Sequence, residues 1–573
     1  MKDKDHTSFN GERPGITVKR MHELRFRREL NFELENHLVE IGTGEGKSVT
    51  LAVSAMLLAL LGFEVDVICY SEYLTNRDSD AFEDLISVFG LSDFIKYGTF
   101  STMAERNLGQ RGSIWSRVSA ALNGTAYHFE EYSNATKRVL LVDEIDVFFD
   151  KRIYFNSYRP SQNVYGAEVT AFIKELWAVY KKGDKNALRK RNVIQWPVYM
   201  ACIQRYLGWE FVIERSVSRL IQALTTFEDP THEYHVDCAR NRIGYKKFDG
   251  ISYDITKGAL TMFAYFKEHE NGKITAEGLE TNIVIGVQCG SYSYAAMPKL
   301  YDNILGVSGT LKELSEKQRS VLRDDYEVKN TTYLRSVYGS NKLVFDGNSA
   351  SAIKITDTTE YYKEIVNEIH LQLIGKIKNR AVFVFLKTKK EVNDFLASPP
   401  MNELRGQVRV IREEDTAADR EVAVRQAVTS KSITVMSCDF GRGTDFICFD
   451  DDLDASGGVH VIQTFVSLEV SEERQIKGRT ARQGNQGSYS MVLLDSELKD
   501  IGISKNKIKK IKDSGRRYAE IDRLRRQVCN DNFERKFASL STLNQKHEDS
   551  MIFLEALRNN DIPSIKESMK KFS

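Results

Sequence analysis

Between His37 and Val53 the chain reads HLVEIGTGEGKSVTLAV, and these residue types could hold a phosphate. Gly44 and Gly46 carry no Cβ, so a turn through Thr43, Gly44, Glu45 and Gly46 can aim several backbone N–H groups at one anion. A helix starting at Lys47 adds its dipole to the same spot. The Lys47 ammonium would then reach the terminal phosphates, and the Ser48 hydroxyl would ligate Mg²⁺. The strict G-x-x-x-x-G-K-[ST] pattern needs Gly at position 41, where Ile41 stands; the looser T-G-x-G-K-[ST] form fits Thr43 to Ser48. The plainer alternative is a Gly-rich strand-to-helix turn followed by an incidental Lys-Ser pair.

A second cluster, VDEID (Val142–Asp146), closes an apolar run about a hundred residues later. One carboxylate at a strand end, Asp143, could hold a hydrated Mg²⁺, and a second, Glu144, could orient or deprotonate water. A surface acid cluster at a strand end is the competing view. FGRGTD (Phe440–Asp445) and QIKGRTARQG (Gln475–Gly484) carry the remaining candidates. Arg479 and Arg482 are three apart and would share a helix face, giving two guanidiniums to neutralise a transferring phosphoryl group. A solvated basic helix end would look the same in isolation.

These groups need elements to position them. Leu38–Ile41, Val65–Tyr70 and Arg138–Glu144 read as strands, with a helix from about Lys47 to Leu61 stopped by Gly62, and another from near Asp78 to Gly90. Strands alternating with helices predict a parallel α/β sheet. From Lys151 to about Val284 aromatics and short mixed segments dominate, as expected of an inserted α+β domain. The α/β texture returns at Leu300–Thr310. A second α/β unit, with strands at Ala381–Leu386, Val408–Ile411, Ile433–Met436, Val459–Ile462 and Ser490–Leu494, follows from near Ser351. The expected division is 1–150 and 285–345 for a first lobe, 151–284 for the insertion, 346–500 for a second lobe, and 501–573 for a helical C-terminal segment.

Composition narrows the field. A length of 573 residues exceeds what one core supports. Lys and Arg total 81 against 80 Asp and Glu, which gives a nucleic-acid binder no global electrostatic support. The seven cysteines form no C-x-x-C pair, so neither a disulfide framework nor a zinc site is expected. The longest apolar run, Leu51–Gly62, is too short to span a bilayer, and MKDKDHTSFNGERPG lacks the apolar core of a secretory signal. A cytoplasmic setting is expected. Residues Lys505–Arg526 hold ten Lys or Arg against three acids, read as a solvated helix face before an acidic-lipid contact.

Taken together, these segments resemble the motor core of the SecA family of preprotein-translocating ATPases. GTGEGKSVTLAVSAMLLAL, SEYLTNRDSDAF (Ser71–Phe82), YGTFSTM (Tyr97–Met103), LLVDEID, LGVSGTL (Leu305–Leu311), GRGTD, GGVHVI and GRTARQG are each similar to one of that family's motifs, and the likeness covers most of residues 20–500. The resemblance implies two RecA-like lobes with a preprotein cross-linking domain inserted in the first. AEGLE (Ala276–Glu280), near the end of residues 151–284, resembles the family's segment there. It implies Arg77 and Gly443 at the nucleotide, Asp445 at the ribose, Arg479 and Arg482 as arginine fingers, and Ser308, Thr310, Arg442 and Gln475 as coupling residues. ATP with Mg²⁺ would be the substrate pair, and an unfolded polypeptide, with a membrane channel or an acidic lipid surface, the partner. The family's adenine-reading Gln has no counterpart: Phe26, between Arg25 and Arg27, stands at that spacing, and no Gln precedes Lys47. The family's long scaffold helix, wing domain and zinc-binding tail are also not matched beyond Asp500.

Two competing readings remain at this level. A superfamily-two nucleic-acid helicase would carry strand-contacting P-T-x-x-L or T-P-G-R segments where this chain has YSEYLTNRD and YGTFSTM. A nucleotide-gated scaffold would bind ATP with little turnover, which the acid pair and both arginines argue against.

Overall fold

The computed structural model of the protein describes residues 33–110, 113–125, 136–229, 232–248, 250–374, 379–448 and 450–572. The stretch around Phe26 lies outside them. Two parallel sheets organise the molecule. In the first, the strands run in the order Asn330–Tyr333, His37–Glu40, Asn303–Ser308, Arg138–Asp143, Glu64–Ile68, Ile95–Gly98. Every neighbouring pair is parallel. In the second the order is Lys342–Val344, Gln486–Leu494, Val459–Gln463, Ala381–Leu386, Ile433–Ser437, Val408–Val410, with Ile353–Thr356 also paired to the long strand Gln486–Leu494. This sheet too is wholly parallel.

The central strands explain why. Val139–Val142 and the whole of Ala381–Leu386 are buried, as parallel strands covered by helices on both faces must be. The helices Lys47–Leu60 and Tyr361–Ile374 cover one face of their respective sheets and return the chain to start each next parallel strand. The chain passes from the first sheet to the second between Tyr333 and Lys342, so Lys342–Val344 already pairs in the second.

The segment after Phe148 leaves the first lobe and returns through two antiparallel pairs. Ser157–Tyr158 meets Tyr292–Ser293, and Ser161–Val164 meets Ile285–Gln288. The stem therefore runs past residue 284. Beyond it, Trp177, Phe227, Phe263 and Phe266 form an aromatic centre, with Trp177 stacked on Phe263 at 5.8 Å. The aromatic-rich stretch Tyr245–Phe266 gives Tyr245, Phe263, Tyr265 and Phe266 to this core. Its polar positions reach back to the lobes. Lys246 pairs with Glu413 and Asp439 of the second lobe, and the Ser252 hydroxyl donates to Glu72 of the first at 2.9 Å.

The C-terminal segment is helical: Lys505–Asp513, then the 42 residues Arg517–Arg558, then Ile562–Lys571. At 1.5 Å per residue the middle helix is about 63 Å long. It touches both lobes and the stem of the insertion. Arg525 enters the second lobe, Arg526 pairs with Glu313 of the first, Phe533 packs on Tyr154 and Phe155, and Ser550 accepts from the backbone N–H of Ser291 in the insertion stem. The basic stretch Lys505–Arg526 is therefore only partly a solvated face. Arg525 is fully buried, and Arg517 donates to the Ile353 carbonyl. Among the described residues no helix is long and apolar enough to cross a membrane.

Candidate active site

The carboxyl ends of strands in the first sheet face a cleft, the place where open parallel sheets bind ligands, and the second lobe closes it with residues that follow the strand Ile433–Ser437 and the helix Val470–Lys477. It encloses about 450 Å³ and is lined from one side by Thr43, Gly44, Lys47, Arg77, Asp143 and Glu144, and from the other by Gly443, Asp445, Arg479 and Arg482. Gly44 and Gly46 adopt left-handed backbone angles, φ 79° and 86°, which a side chain would strain. The helix then begins at Lys47 with no side-chain cap, leaving its first N–H groups directed at the cleft.

Lys47 is ion-paired with Glu144 across the turn. Glu144 sits just after the strand Arg138–Asp143 in a left-handed conformation, φ 58°, unusual for a residue with a side chain. Its carboxylate accepts from Ser308 at 3.2 Å, from the backbone N–H of Gly309 at 3.1 Å, and from Gln475 of the second lobe at 3.0 Å. Gly309 lies close to the turn: a Cβ there would stand 3.2 Å from the Lys47 ammonium and 3.4 Å from the Thr43 hydroxyl. Thr310 lies behind, its hydroxyl 3.3 Å from that of Ser308. Glu45 folds back over Gly42 and does not line the cleft.

Asp143 is buried, and its Oδ1 has no hydrogen-bond partner. Burial, then the adjacent Glu144, push its carboxyl up to about 7, against the pull of Lys47 and Arg77. A cation bound at this oxygen would offset the burial. Ser48 donates to Asp78 at 3.0 Å, and Arg77 grips the other oxygen of Asp78 at 2.8 Å. The oxygens of Ser48 and Asp143 suit a hard ion such as Mg²⁺.

Several bonds cross from one lobe to the other. Arg77 donates to the Gly443 carbonyl at 3.2 Å. Arg442 pairs with Asp146 at 2.6 Å and also donates to Ser471. Burial would raise the Asp146 carboxyl, but the Arg442 guanidinium outweighs it and holds the group below the usual carboxylate range. Gln483 donates to the Gly44 carbonyl at 3.1 Å. Arg482 is ion-paired with Asp445, and its Cδ lies 4.0 Å from where a Gly44 Cβ would be. Arg479 is buried and held within its own lobe by the Thr444 carbonyl and by the backbone and side chain of Gln475.

All of the candidate residues except Glu45, Ser308 and Thr310 line the cleft, and the last two stand directly behind Glu144. Sequence reasoning did not single out Asp78, Asp146 or Gln483. Asp78 follows Arg77 directly and Asp146 ends the VDEID cluster, so position beside a marked residue was the available signal. Gln483, in the loop after Arg482, had none.

Comparison with known proteins agrees with the motif reading. Residues 31–108 match the family model described as the SecA DEAD-like domain. The chain is 22% identical over 508 residues to protein translocase subunit SecA 3 of Magnetococcus marinus, covering 81% of this chain and 72% of that protein. It is 23% identical over 481 residues to protein translocase subunit SecA of Mycoplasma mycoides subsp. mycoides, covering 80% of this chain and 48% of that one. It thus spans about half the length of the second relative. Among solved structures, S. cerevisiae Dbp5 bound to RNA and ADP BeF3 aligns at 10% identity with a TM-score of 0.36, covering 92% of this chain and 93% of that one. That superposition is too loose to carry an argument, and the fold rests on the two strand orders themselves. The chain is a divergent SecA-like protein.

Proposed function

We propose that the protein is an ATP-driven motor of the SecA type, hydrolysing ATP between two RecA-like lobes to move an unfolded polypeptide. The observation that carries this reading is the shared cleft, in which Gln475, Arg482 and Gln483 of one lobe meet Glu144 and the Gly44–Ser48 turn of the other. In this reading Lys47 leaves Glu144 to take the terminal phosphates. Glu144, still oriented by Ser308, the Gly309 N–H and Gln475, accepts a proton from the attacking water. Arg479 and Arg482 neutralise the charge that develops on the phosphoryl oxygens. Mg²⁺, held by Ser48 and through its water shell by Asp143, would supply further charge neutralisation at those oxygens. Phosphate release removes the group both lobes grip and lets them part. The insertion, bonded to both lobes through Lys246 and Ser252, would feel that change.

The test is steady-state ATPase activity with an unfolded polypeptide, single-stranded RNA and acidic-lipid vesicles added separately. Stimulation by polypeptide is expected. Salt-sensitive stimulation by RNA alone would instead support a helicase, and unstimulated binding without turnover a nucleotide-gated scaffold. Lys47→Ala should abolish nucleotide binding measured by calorimetry; parent-like binding would end the phosphate assignment. Glu144→Gln should retain binding and slow hydrolysis by about 10²–10⁴-fold.

A further inference from the structure

Behind one wall of the cleft, next to the lining residues Asp78 and Asp143, lies a group that magnesium chemistry does not use. Cys69 follows the strand Glu64–Ile68, Asp78 lies on the helix Glu72–Val88, and Asp143 ends the strand Arg138–Asp143. The Cys69 sulfur and one carboxylate oxygen from each aspartate lie within 4.8 Å of one another, and all three residues are buried. Among the described residues this is the one such grouping of potential metal ligands. Two further polar atoms mark the spot. Asp143 Oδ1 is buried without a partner, and so is the hydroxyl of Tyr97, whose surroundings include Cys69, Asp78 and Asp143. A hard ion such as Mg²⁺ takes oxygen and has no use for sulfur, whereas one sulfur with two carboxylates is a donor set for a borderline ion.

We propose that Cys69, Asp78 and Asp143 form a binding site for a thiophilic divalent ion of the Zn²⁺ class, with Asp143 shared between it and the magnesium position. The site itself stands independently of the nucleotide reading; only its overlap with magnesium rests on that reading. Binding requires the thiolate, so the Cys69 proton is released to solvent as the sulfur–metal bond forms. Sequence spacing offers no hint of such a site, because its three ligands come from three separate segments.

Co²⁺ is the probe, because a cobalt–thiolate bond gives a charge-transfer band in the near ultraviolet that oxygen ligation does not. The full chain, free of nucleotide and kept reduced without a thiol reagent, is titrated with Co²⁺. The expected result is a band that saturates at one equivalent, survives in Cys438→Ser and Cys529→Ser, and is lost in Cys69→Ser. Asp78→Asn, which keeps the sulfur, should weaken Co²⁺ binding at least about 10-fold, the scale on which even outer partners of a metal act. No saturable band in the parent, or a band undiminished in a folded Cys69→Ser, would overturn the proposal. If Cys69→Ser fails to fold, parent-like affinity in Asp78→Asn overturns it instead. A parent chain that binds Co²⁺ through Cys69 but not ATP would keep this site and end the motor reading; ATP binding without the cobalt band would do the reverse.

Discussion

Arg482→Ala is expected to leave ATP binding within a few-fold of the parent and to slow hydrolysis by about 10³-fold or more, the range in which arginine fingers act. Of the two candidate fingers, Arg482 is the better placed. Among the described residues its guanidinium is bonded to Asp445 and to the Gly478 carbonyl, and its aliphatic stem already stands over Gly44. Arg479 faces three acceptors in its own lobe, so truncating it would leave the Thr444 and Gln475 carbonyls unpaired and confuse folding with chemistry. A thousandfold loss corresponds to about 4 kcal/mol of transition-state stabilisation, more than an ion pair with the half-exposed Asp445 supplies. Calorimetric ATP affinity set beside single-turnover hydrolysis separates the two roles. Arg482→Lys keeps a charge without the planar fork and should recover only part of the rate. Equal losses in binding and turnover would instead make Arg482 a strut for the Asp445 loop.

The two sheets were legible in the sequence because parallel strands buried on both faces must be continuously apolar, as Val139–Val142 and Ala381–Leu386 are. The phosphate turn was legible because its glycines answer a local backbone demand at Gly44 and Gly46. What escaped depends on distant parts of the chain. Asp78 matters because a helix brings it beside Ser48, and Asp146 because a second lobe supplies Arg442. The long C-terminal helix was legible as a helix and not in its docking. Buried positions along it, among them Ile521, Arg525, Phe533, Leu540, Ser550 and Phe553, meet three different surfaces in turn. No single apolar stripe runs its length, and a fully buried arginine reads as a surface residue until its partners are seen.

Arg525→Ala should accordingly be among the most damaging substitutions outside the cleft, costing about 3–5 kcal/mol. Arg525 and Glu473 form an ion pair with essentially no solvent exposure, and Asp522, Tyr518 and the Ser467 carbonyl occupy the rest of the guanidinium. Removing the arginine takes away the main counter-charge of the buried Glu473 carboxylate and leaves it, among the described residues, to Lys477 and the Tyr518 hydroxyl. Replacing both partners, as in Arg525→Met with Glu473→Leu, should be milder, since the buried carboxylate goes with its guanidinium and only Lys477 loses a partner. The pH dependence carries a separate signature. Burial works to raise the Glu473 carboxyl, but Arg525 and Lys477 outweigh it and hold the group below its ordinary value. A carboxylate depressed in the folded state stabilises above its unfolded pKa of about 4.3 and loses that contribution as pH falls through the folded value. Urea melts from neutral pH downward should show this loss below about pH 4.3 in the parent, and a smaller loss or none in Arg525→Ala, where the carboxyl no longer has the guanidinium that depresses it. The consequence reaches the cleft, because Glu473 lies on the short helix Val470–Lys477 whose Gln475 donates to Glu144. Loosening the C-terminal helix should therefore lower kcat at constant fold. Parent-like stability together with parent-like kcat would show that the helix merely lies along the lobes without holding the catalytic geometry.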